Sequence, residues 1–348
     1  MSSSVVKNRA EPIVYLFPGQ GSQFRGMGRE LFEGNAVYRA AMLRLDDVCQ
    51  GRLGHSVVEE IYAARNANAP FVRTLHTHPA IFMTEYALAT ALSERGVAPD
   101  YCVGASLGEF AAAVIAGALP VRLALDLVIS QAQCLEAHCA QDGGMLAVLD
   151  DSALYSKTPS MYENSELAAV NSRGHFVLAG AQEGLRRVAA YLEQSGRAYQ
   201  ALPVVLGYHS KHIEPASRAF LDVLERTPEL SQRPTPSPTV GLMSSRRGGA
   251  VHELSRTHFW EVAAGPMYFR EVVASLEQRG AHRYVDLGPS SALSNLAKLN
   301  LHPDSKSKVY PIMSQFRGEL SKFEGLHAAL GQGLPARAND EASGNDER

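Results

Sequence analysis

The sequence has few of the features that mark membrane, nucleic-acid-binding or metal-binding proteins. Its apolar stretches are too short for a membrane-spanning helix, which needs roughly 18 uninterrupted apolar residues. Neither sign of charge is in large excess, since 33 Lys and Arg stand against 36 Asp and Glu. The net charge of −3 therefore predicts no basic surface for nucleic acid. The cysteines are few and lack metal-ligand spacing: they are Cys49, Cys102, Cys134 and Cys139.

Residues 1–11 also lack the apolar segment of a secretory signal peptide, because they are polar and rich in serine. Together with the cysteine usage, this predicts a cytoplasmic protein. The composition that remains is that of a globular protein, with 45% hydrophobic and 20% charged residues. A chain of 348 residues is long enough for one large α/β domain, or for a main domain with a smaller one inserted.

One hexapeptide organises the chain, Gly-Ala-Ser-Leu-Gly-Glu at residues 104–109. A short apolar run, residues 99–103, precedes it and predicts a strand, and an alanine-rich run, residues 107–119, follows it and predicts a helix. A Gly-x-Ser-x-Gly at such a junction is typical of a nucleophile elbow, in which the serine projects from a sharp turn. The alternative is a glycine-rich turn that only lets a helix pack closely on a sheet.

The order of the other elements predicts a parallel sheet covered by helices. Residues 13–17 predict a buried strand that ends at the glycine-rich loop 18–23, and Pro79 is predicted in the first turn of a helix that ends at Arg95. The loop is not a dinucleotide fingerprint, because Phe24 holds the place of the third glycine. Short alternating elements between Gly143 and Pro203 predict a small inserted α+β unit. The remaining predictions are helices over residues 28–48, 121–140, 153–162, 183–195, 210–229, 269–279 and 291–299, strands over 145–149, 176–178 and 283–287, and a proline-rich loop over 232–238.

An elbow serine needs a base to take its proton, and histidine is the usual one. His209 is the candidate among the histidines that follow Ser106. The apolar run 202–206 predicts a strand, and His209 comes directly after it, where the active sites of α/β proteins gather. The alternative is a histidine that only makes hydrogen bonds within a turn.

Four motifs together resemble the malonyl-CoA:acyl-carrier-protein transacylase family, which includes the acyltransferase domains and free-standing acyltransferases of polyketide synthases. They are Phe-Pro-Gly-Gln-Gly-Ser-Gln at 17–23, Gly-Ala-Ser-Leu-Gly-Glu at 104–109, Tyr-His-Ser at 208–210 and Asp-Leu-Gly-Pro at 286–289. Residues 171–180 and 266–269 also resemble family motifs. The resemblance runs from about residue 13 to about residue 330 in the family's order.

The resemblance implies a large α/β-hydrolase-like subdomain, residues 12–140 and 205–330, with a small ferredoxin-like subdomain inserted at 141–204. Residues 1–11 and 333–348 are predicted to be disordered tails. In the implied mechanism Ser106 is acylated with His209 as base, and backbone carbonyl groups near Tyr268 orient the histidine in place of an acid. The backbone N–H groups of Gln20 and Leu107 would form the oxyanion hole. No cofactor or metal is implied; the acyl group arrives on the 4'-phosphopantetheine of a carrier protein or of CoA.

The sequence departs from the family pattern around the acyl group. Gln131 stands where malonyl-type members have the arginine that binds the malonyl carboxylate. Ala105 replaces the usual histidine before the nucleophile, His78 replaces a common glutamine, and Tyr208 belongs to a tetrapeptide of neither the malonyl nor the methylmalonyl form. Since an amide cannot make a charge-assisted pair, these changes predict a neutral acyl group.

Two enzymatic functions follow from this interpretation. The first is a proofreading hydrolase in polyketide biosynthesis, which passes a non-malonyl acyl group from a carrier protein to water. The second is a free-standing acyltransferase that moves a non-malonyl acyl group, or as a less favoured alternative a malonyl group, from CoA or one carrier protein to another. A third hypothesis is a catalytically silent scaffold that only binds a carrier protein. Carrier proteins are acidic, so the candidate docking residues are Arg173, Arg246 and Arg247, which could equally be ordinary surface charges.

Overall fold

The computed structural model of the chain describes residues 11–63, 70–231 and 240–330. Both predicted tails, apart from Glu11, and the predicted loop at 232–238 lie outside the described residues. Within these ranges no helix combines the length and apolar character needed to cross a membrane.

The described residues form two β-sheets covered by helices. In chain order the strands are β1 (Ile13–Phe17), β2 (Tyr101–Gly104), β3 (Gly143–Val148), β4 (Glu166–Ser172), β5 (His175–Ala181), β6 (Tyr199–Ala201), β7 (Gly241–Ser244), β8 (Gly249–Val251), β9 (Arg283–Asp286) and β10 (Lys308–Pro311). The helices are α1 (Arg29–Gly34), α2 (Ala36–Leu53), α3 (Val57–Tyr62), α4 (Thr74–Glu94), α5 (Gly108–Ile115), α6 (Val121–His138), α7 (Ala153–Lys157), α8 (Pro159–Tyr162), α9 (Gln182–Gln194), α10 (Ser217–Glu225), α11 (Pro228–Ser231), α12 (His258–Ala264), α13 (Phe269–Glu277), α14 (Ala292–Asn300) and α15 (Glu319–Ala329).

The large sheet has the strand order β10-β9-β1-β2-β7-β8. Its neighbouring strands are parallel except for the antiparallel pair β7 and β8. All five side chains of β1 are buried, as expected for a strand with helices on both faces. Leu16 packs in a cluster with α13 and α14, and Phe17 packs in the main core with α4. Phe17 is paired with Gly104, so the glycine-rich loop after β1 lies beside the elbow after β2.

The small sheet has the order β4-β5-β3-β6, and its neighbouring strands are antiparallel. Helices α7 and α8 connect β3 to β4, and α9 connects β5 to β6, which is the β-α-β-β-α-β succession of a ferredoxin-like unit. Leu185, Val188 and Leu192 form one buried face of α9, since residues three and four apart share a side of a helix. The α/β architecture and the inserted small sheet agree with the fold class expected from the sequence.

Three local predictions were wrong. The predicted strand at 202–206 is irregular, because Pro203 has no N–H to donate to a ladder and the chain leaves β3 after Leu202, whose N–H is bonded to the Met145 carbonyl at 3.0 Å. Pro79 lies inside α4 and not in its first turn, since the helix already begins at Thr74. The predicted long helix at 210–229 is a 3₁₀ helix, Lys211–Ala216, followed by α10 and α11.

Candidate active site

The strand–turn–helix geometry around Ser106 depends on the two flanking glycines. Ser106 has a φ of 55°, a left-handed conformation that is uncommon for a residue with a Cβ. A Cβ on Gly104 would lie 2.5 Å from the Cα of Glu109, and a Cβ on Gly108 would overlap the carbonyl group of Phe17. The turn is therefore held tightly between β1 and the start of α5, with the serine at its tip.

Ser106 and His209 are in hydrogen-bond contact, with 2.9 Å between Oγ and Nε2. His209 is also left-handed, with a φ of 63°, and its backbone N–H donates to the carbonyl of Ala263 at 2.9 Å. The imidazole is buried in the structure, with 3% of its surface exposed. Ser106 and His209 are 103 positions apart in sequence, and the fold gives them the geometry expected of a nucleophile and its base.

The partner of the second ring nitrogen is the carbonyl oxygen of Gly265, 2.9 Å from Nδ1 of His209. A carbonyl oxygen only accepts, so Nδ1 carries the proton and Nε2 presents a lone pair to the serine hydroxyl. The prediction that Tyr268 marks the orienting backbone needs correction, because the acceptor lies three residues earlier. Helix α12 ends at Ala264, and the extended backbone of Gly265, with φ −99° and ψ 159°, turns its carbonyl out of the helix. The Tyr268 N–H is bonded to Ser245 at 2.6 Å.

Burial keeps the imidazole neutral. It lowers the pKa of His209 to about 4, and the nearby positive charge of Arg246 acts in the same direction. Nε2 of His209 therefore carries a lone pair throughout the neutral pH range.

The N–H groups of Gln20 and Leu107 have no hydrogen-bond acceptor among the residues that the structure describes. Gly19 precedes Gln20 in the loop after β1 and lies against the turn that carries Leu107. A Cβ on Gly19 would come within 2.7 Å of the Ser106 Cβ and 2.9 Å of the Leu107 nitrogen, so only glycine allows this approach. The arrangement brings the predicted oxyanion-hole residues to the same side of the nucleophile.

Two spaces meet at Ser106. The outer one, here called the cleft, has a volume of about 380 Å³ and lies between the large and the small sheet. Its walls include Asn171 and His175 from β4 and β5, and Leu299 from α14. Ala105, predicted to belong to the acyl pocket, lines the cleft.

The inner space, here called the cavity, has a volume of about 10 Å³. It brings together Gln131 from α6, His78 from α4 and Tyr208, three residues that were predicted to belong to the acyl pocket. The Gln131 amide donates to the Phe259 carbonyl at 3.3 Å, and the Phe259 ring stacks on Phe110 with centroids 4.0 Å apart. The full lining is Gln20, His78, Ser106, Leu107, Phe110, Gln131, Tyr208, Phe259, Val262 and Ala263.

None of the residues that line the cavity carries a charge. His78 is its one ionisable group besides Tyr208, and burial lowers the pKa of His78 to about 3, so that the ring is neutral near pH 7. Burial also raises the pKa of Tyr208, whose hydroxyl lies 3.2 Å from the Thr74 hydroxyl. The cavity is therefore a small, uncharged chamber next to the nucleophile.

Residues 14–332 match the family described as acyl transferase domain. The chain belongs to this family. The polyketide biosynthesis acyltransferase homolog BaeD of Bacillus velezensis is 40% identical over 321 residues, covering 92% of this chain and 97% of that protein. The malonyl CoA-acyl carrier protein transacylase of Bacillus subtilis is 29% identical over 296 residues, covering 82% of this chain and 89% of that protein.

Among solved structures, the acyltransferase domain from the second module of the salinomycin polyketide synthase matches this acyl transferase domain with a TM-score of 0.79 and 30% identity. The match covers 90% of this chain and 72% of that chain. The family resemblance inferred from the motifs is confirmed, and the chain is an enzyme of the acyltransferase type.

A buried hydrogen-bonded pair of a carboxyl group and an imidazole, beside the Ser106 turn of this acyl transferase domain, was missed by sequence reasoning. Glu109, the last residue of the elbow motif, lies 2.8 Å from Nε2 of His258, and each side chain is 2% exposed. Glu109 also accepts from the Ser244 hydroxyl at 2.6 Å. The pair connects the elbow helix α5 to α12, the helix that ends beside Gly265. Glu109 is the one charged residue in the otherwise apolar sequence of α5, and this feature of the sequence could have indicated a buried partner for its side chain.

The three arginines named as docking candidates are placed differently. Arg246 is half-buried near His209, and its Nε donates to the Glu261 carbonyl at 3.2 Å. Arg173 and Arg247 are exposed. No group of three or more potential metal ligands occurs in the described ranges of the chain.

Proposed function

We propose that the protein is a serine acyl-enzyme that removes neutral, non-malonyl acyl groups from the phosphopantetheine arm of a carrier protein in polyketide biosynthesis, with water as the final acceptor. The observation that carries the choice of acyl group is the uncharged cavity beside Ser106, in which the Gln131 amide is bonded to a backbone carbonyl. The relatives named above support the pathway and the carrier protein as proposals.

In the first half-reaction, the Ser106 hydroxyl gives its proton to Nε2 of His209 while Oγ attacks the thioester carbonyl carbon. The developing oxyanion accepts hydrogen bonds from the N–H groups of Gln20 and Leu107. The carbon–sulfur bond then breaks, and the proton on His209 passes to the departing sulfur. The Gly265 carbonyl, 2.9 Å from Nδ1, holds the ring in place and stabilises its transient positive charge.

In the second half-reaction, a water molecule from the cleft gives one proton to Nε2 of His209 while its oxygen attacks the ester carbonyl carbon. The bond to the serine Oγ breaks, Oγ recovers the proton, and the acyl group leaves as a carboxylic acid. The same base thus serves both halves, which agrees with its low pKa of about 4.

The cavity disfavours a malonyl group through its lack of a counter-charge. A carboxylate buried without a partner costs about 3–5 kcal/mol relative to a paired one. Gln131 offers no positive charge, and His78, with a pKa of about 3, does not supply one near neutral pH. A neutral acyl chain meets no unpaired cation in the same place.

The cleft is proposed to take the phosphopantetheine arm. It lies between residues of the proposed large subdomain, 12–140 and 205–330, and the proposed small subdomain, 141–204. The half-buried Arg246 and the exposed Arg173 and Arg247 are proposed to face the acidic carrier protein. The mechanism needs no cofactor, and we place the reaction in the cytoplasm, in accord with four free cysteines.

A transferase that passes the acyl group to a second carrier thiol is the other candidate, and membership of the acyl transferase domain family favours it. The scaffold hypothesis is disfavoured by the 2.9 Å contact between Ser106 and His209, which a binding protein has no need to keep.

The decisive experiment incubates the protein with acetyl- and malonyl-loaded carrier protein, with and without an unloaded acceptor, and follows intact masses. We expect the acetyl group to be released as free acid without an acceptor while malonyl remains loaded. An acyl-enzyme that persists until an acceptor is added would make the protein a transferase. Efficient malonyl transfer would contradict the argument from Gln131.

A further inference from the structure

The orientation of the Gln20 side chain is fixed by a chain of hydrogen bonds. The Thr77 hydroxyl donates to the Arg73 carbonyl at 3.2 Å, so its oxygen accepts from the Gln20 amide nitrogen at 2.9 Å. The Gln20 Oε1 is consequently the free end of the amide. It is buried and has no hydrogen-bond partner among the described residues.

His78 shows the same shortage of partners. Its side chain is 2% exposed, and neither ring nitrogen has a hydrogen-bond partner in the described part of the chain. The ring lies against Tyr208, with centroids 5.7 Å apart, but the Tyr208 hydroxyl is engaged by Thr74. A neutral imidazole has one N–H donor and one acceptor nitrogen to offer.

Both side chains line the cavity beside Ser106. Buried polar atoms are almost always hydrogen-bonded to protein or to water, so an unpaired donor and an unpaired acceptor on one small cavity point to a polar occupant, either water or a ligand group that takes the place of water. A hydroxyl group matches them, because it accepts from the imidazole N–H and donates to the Gln20 Oε1. Gln131 does not compete, since its amide nitrogen is bonded to Phe259.

We propose that His78, together with the Gln20 Oε1, selects short acyl groups that carry a neutral hydroxyl on the carbon next to the thioester carbonyl. This inference rests on the proposed function, in which the acyl group of the Ser106 ester enters the cavity. The volume of about 10 Å³ is roughly the space for one water molecule, so it limits the acyl group to about one or two non-hydrogen atoms beyond the carbonyl.

The matched pair of substrates is hydroxyacetyl and propionyl, which have the same number of heavy atoms and differ only in a hydroxyl for a methyl. A methyl group leaves the buried polar atoms unpaired, and each such atom is costly. We therefore expect kcat/KM for hydroxyacetyl to exceed that for propionyl by about ten- to hundredfold.

The test measures hydrolysis of hydroxyacetyl-, propionyl- and acetyl-pantetheine thioesters, and acylation of Ser106 by intact mass. His78→Leu removes both ring nitrogens at similar volume, and we expect it to bring the hydroxyacetyl-to-propionyl ratio to one or below. His78→Gln keeps a donor and an acceptor, and we expect it to retain a ratio above one. Using a ratio cancels any general loss of activity.

The possible outcomes separate a failure of the selection by His78 from a failure of the proposed function. Equal rates for the wild-type protein, or a ratio that His78→Leu leaves unchanged, would overturn the selection by His78 while acylated Ser106 still supports the proposed function. Acylation by acetyl alone would also overturn it, because the cavity would then reject the hydroxyl. If none of the three thioesters acylates Ser106, the proposed function itself fails.

Discussion

The cleft and the cavity adjoin the same serine, yet they are built differently. The cleft, of about 380 Å³, has walls from both sheets, and its polar side chains include the pair Asn171 Nδ2 and His175 Nδ1 at 3.2 Å. The cavity, of about 10 Å³, is formed without the small sheet. Gln20 lines both spaces, but His78, with two ring nitrogens unpaired among the described residues, lines the cavity and not the cleft. The wide space suits a long arm common to all substrates. The narrow space, with the unpaired His78, suits discrimination between acyl groups.

Removing the group that both spaces share is expected to have the largest effect. Ser106→Ala should lower hydrolysis of acetyl-loaded carrier protein by roughly 10⁴-fold or more, because no acyl-enzyme can form. The measurement is release of acetate, with binding of the carrier protein as the control. Residual hydrolysis within tenfold of the wild-type rate would show that the reaction does not pass through this serine.

The close approach of Gly19, which lines the cleft, to the Ser106 turn is the next feature to change. Gly19→Ala should lower kcat by about 10²- to 10³-fold, because its Cβ would press on Ser106 and Leu107 and displace an oxyanion donor. Gly51→Ala, on α2 with no atom within 4 Å of the added Cβ, is the matched control and should behave as wild type. Equal activity of the two variants would show that catalysis does not need the close approach of Gly19 to Ser106 and Leu107.

Placing a cation in the cavity should alter selectivity without altering the cleft. Gln131→Arg is expected to raise the malonyl-to-acetyl ratio of kcat/KM by roughly ten- to hundredfold, since a bidentate pair becomes available to the carboxylate. Gln131→Met, uncharged and of similar length, is the control and should not raise the ratio. A gain with both variants would point to shape and not to charge.

The pH profile tests the burial of His209, which lines the cleft and not the cavity. His209 acts as base when deprotonated, and its pKa of about 4 means that activity falls to half near this pH and continues to fall below it. With acetyl-pantetheine as substrate, kcat/KM at pH 5 should stay within about twofold of its value at pH 7. A decline with a midpoint near 6.5 would indicate a solvated imidazole.

The smallest effect is expected in the cleft. Leu299 is 64% exposed at its rim, and Leu299→Ser should raise KM for loaded carrier proteins a few-fold, equally for acetyl and hydroxyacetyl. Leu149, 57% exposed and outside the cleft lining, supplies the control Leu149→Ser. A change in acyl selectivity with the Leu299 variant would contradict the assignment of arm binding to the cleft and of acyl selectivity to the cavity.

Much of this arrangement could be predicted from short motifs, because they specify backbone geometry as well as side chains. Gly19, Gly104 and Gly108 make close contacts that any Cβ would prevent, so the positions of these glycines in the motifs predict the local backbone geometry. Gln131 and His78 were predicted near the acyl group from the family's motifs, and the structure places them on one cavity with Ser106.

The remainder depends on tertiary contacts that leave no mark on residue type. The acceptor for His209 is the backbone of Gly265, and a carbonyl group has no sequence signature. The strands that were not predicted are β4, β6, β7, β8 and β10, and all of them except β7 lie at the edge of a sheet. The run 202–206 is apolar without being a strand, since Leu206 is buried in the main core from an irregular segment.

The backbone is left-handed at Ser106 and His209, so at these two positions fold stability favours glycine while the proposed chemistry needs serine and histidine. A residue with a Cβ in this conformation is strained by roughly 1–2 kcal/mol, from which glycine is free. Glycine's larger entropy in the unfolded chain offsets part of that difference. Selection for a more stable fold alone would therefore favour glycine at both sites and lose the enzyme, so a lineage that no longer needed the reaction could gain stability by abandoning the two residues that perform it.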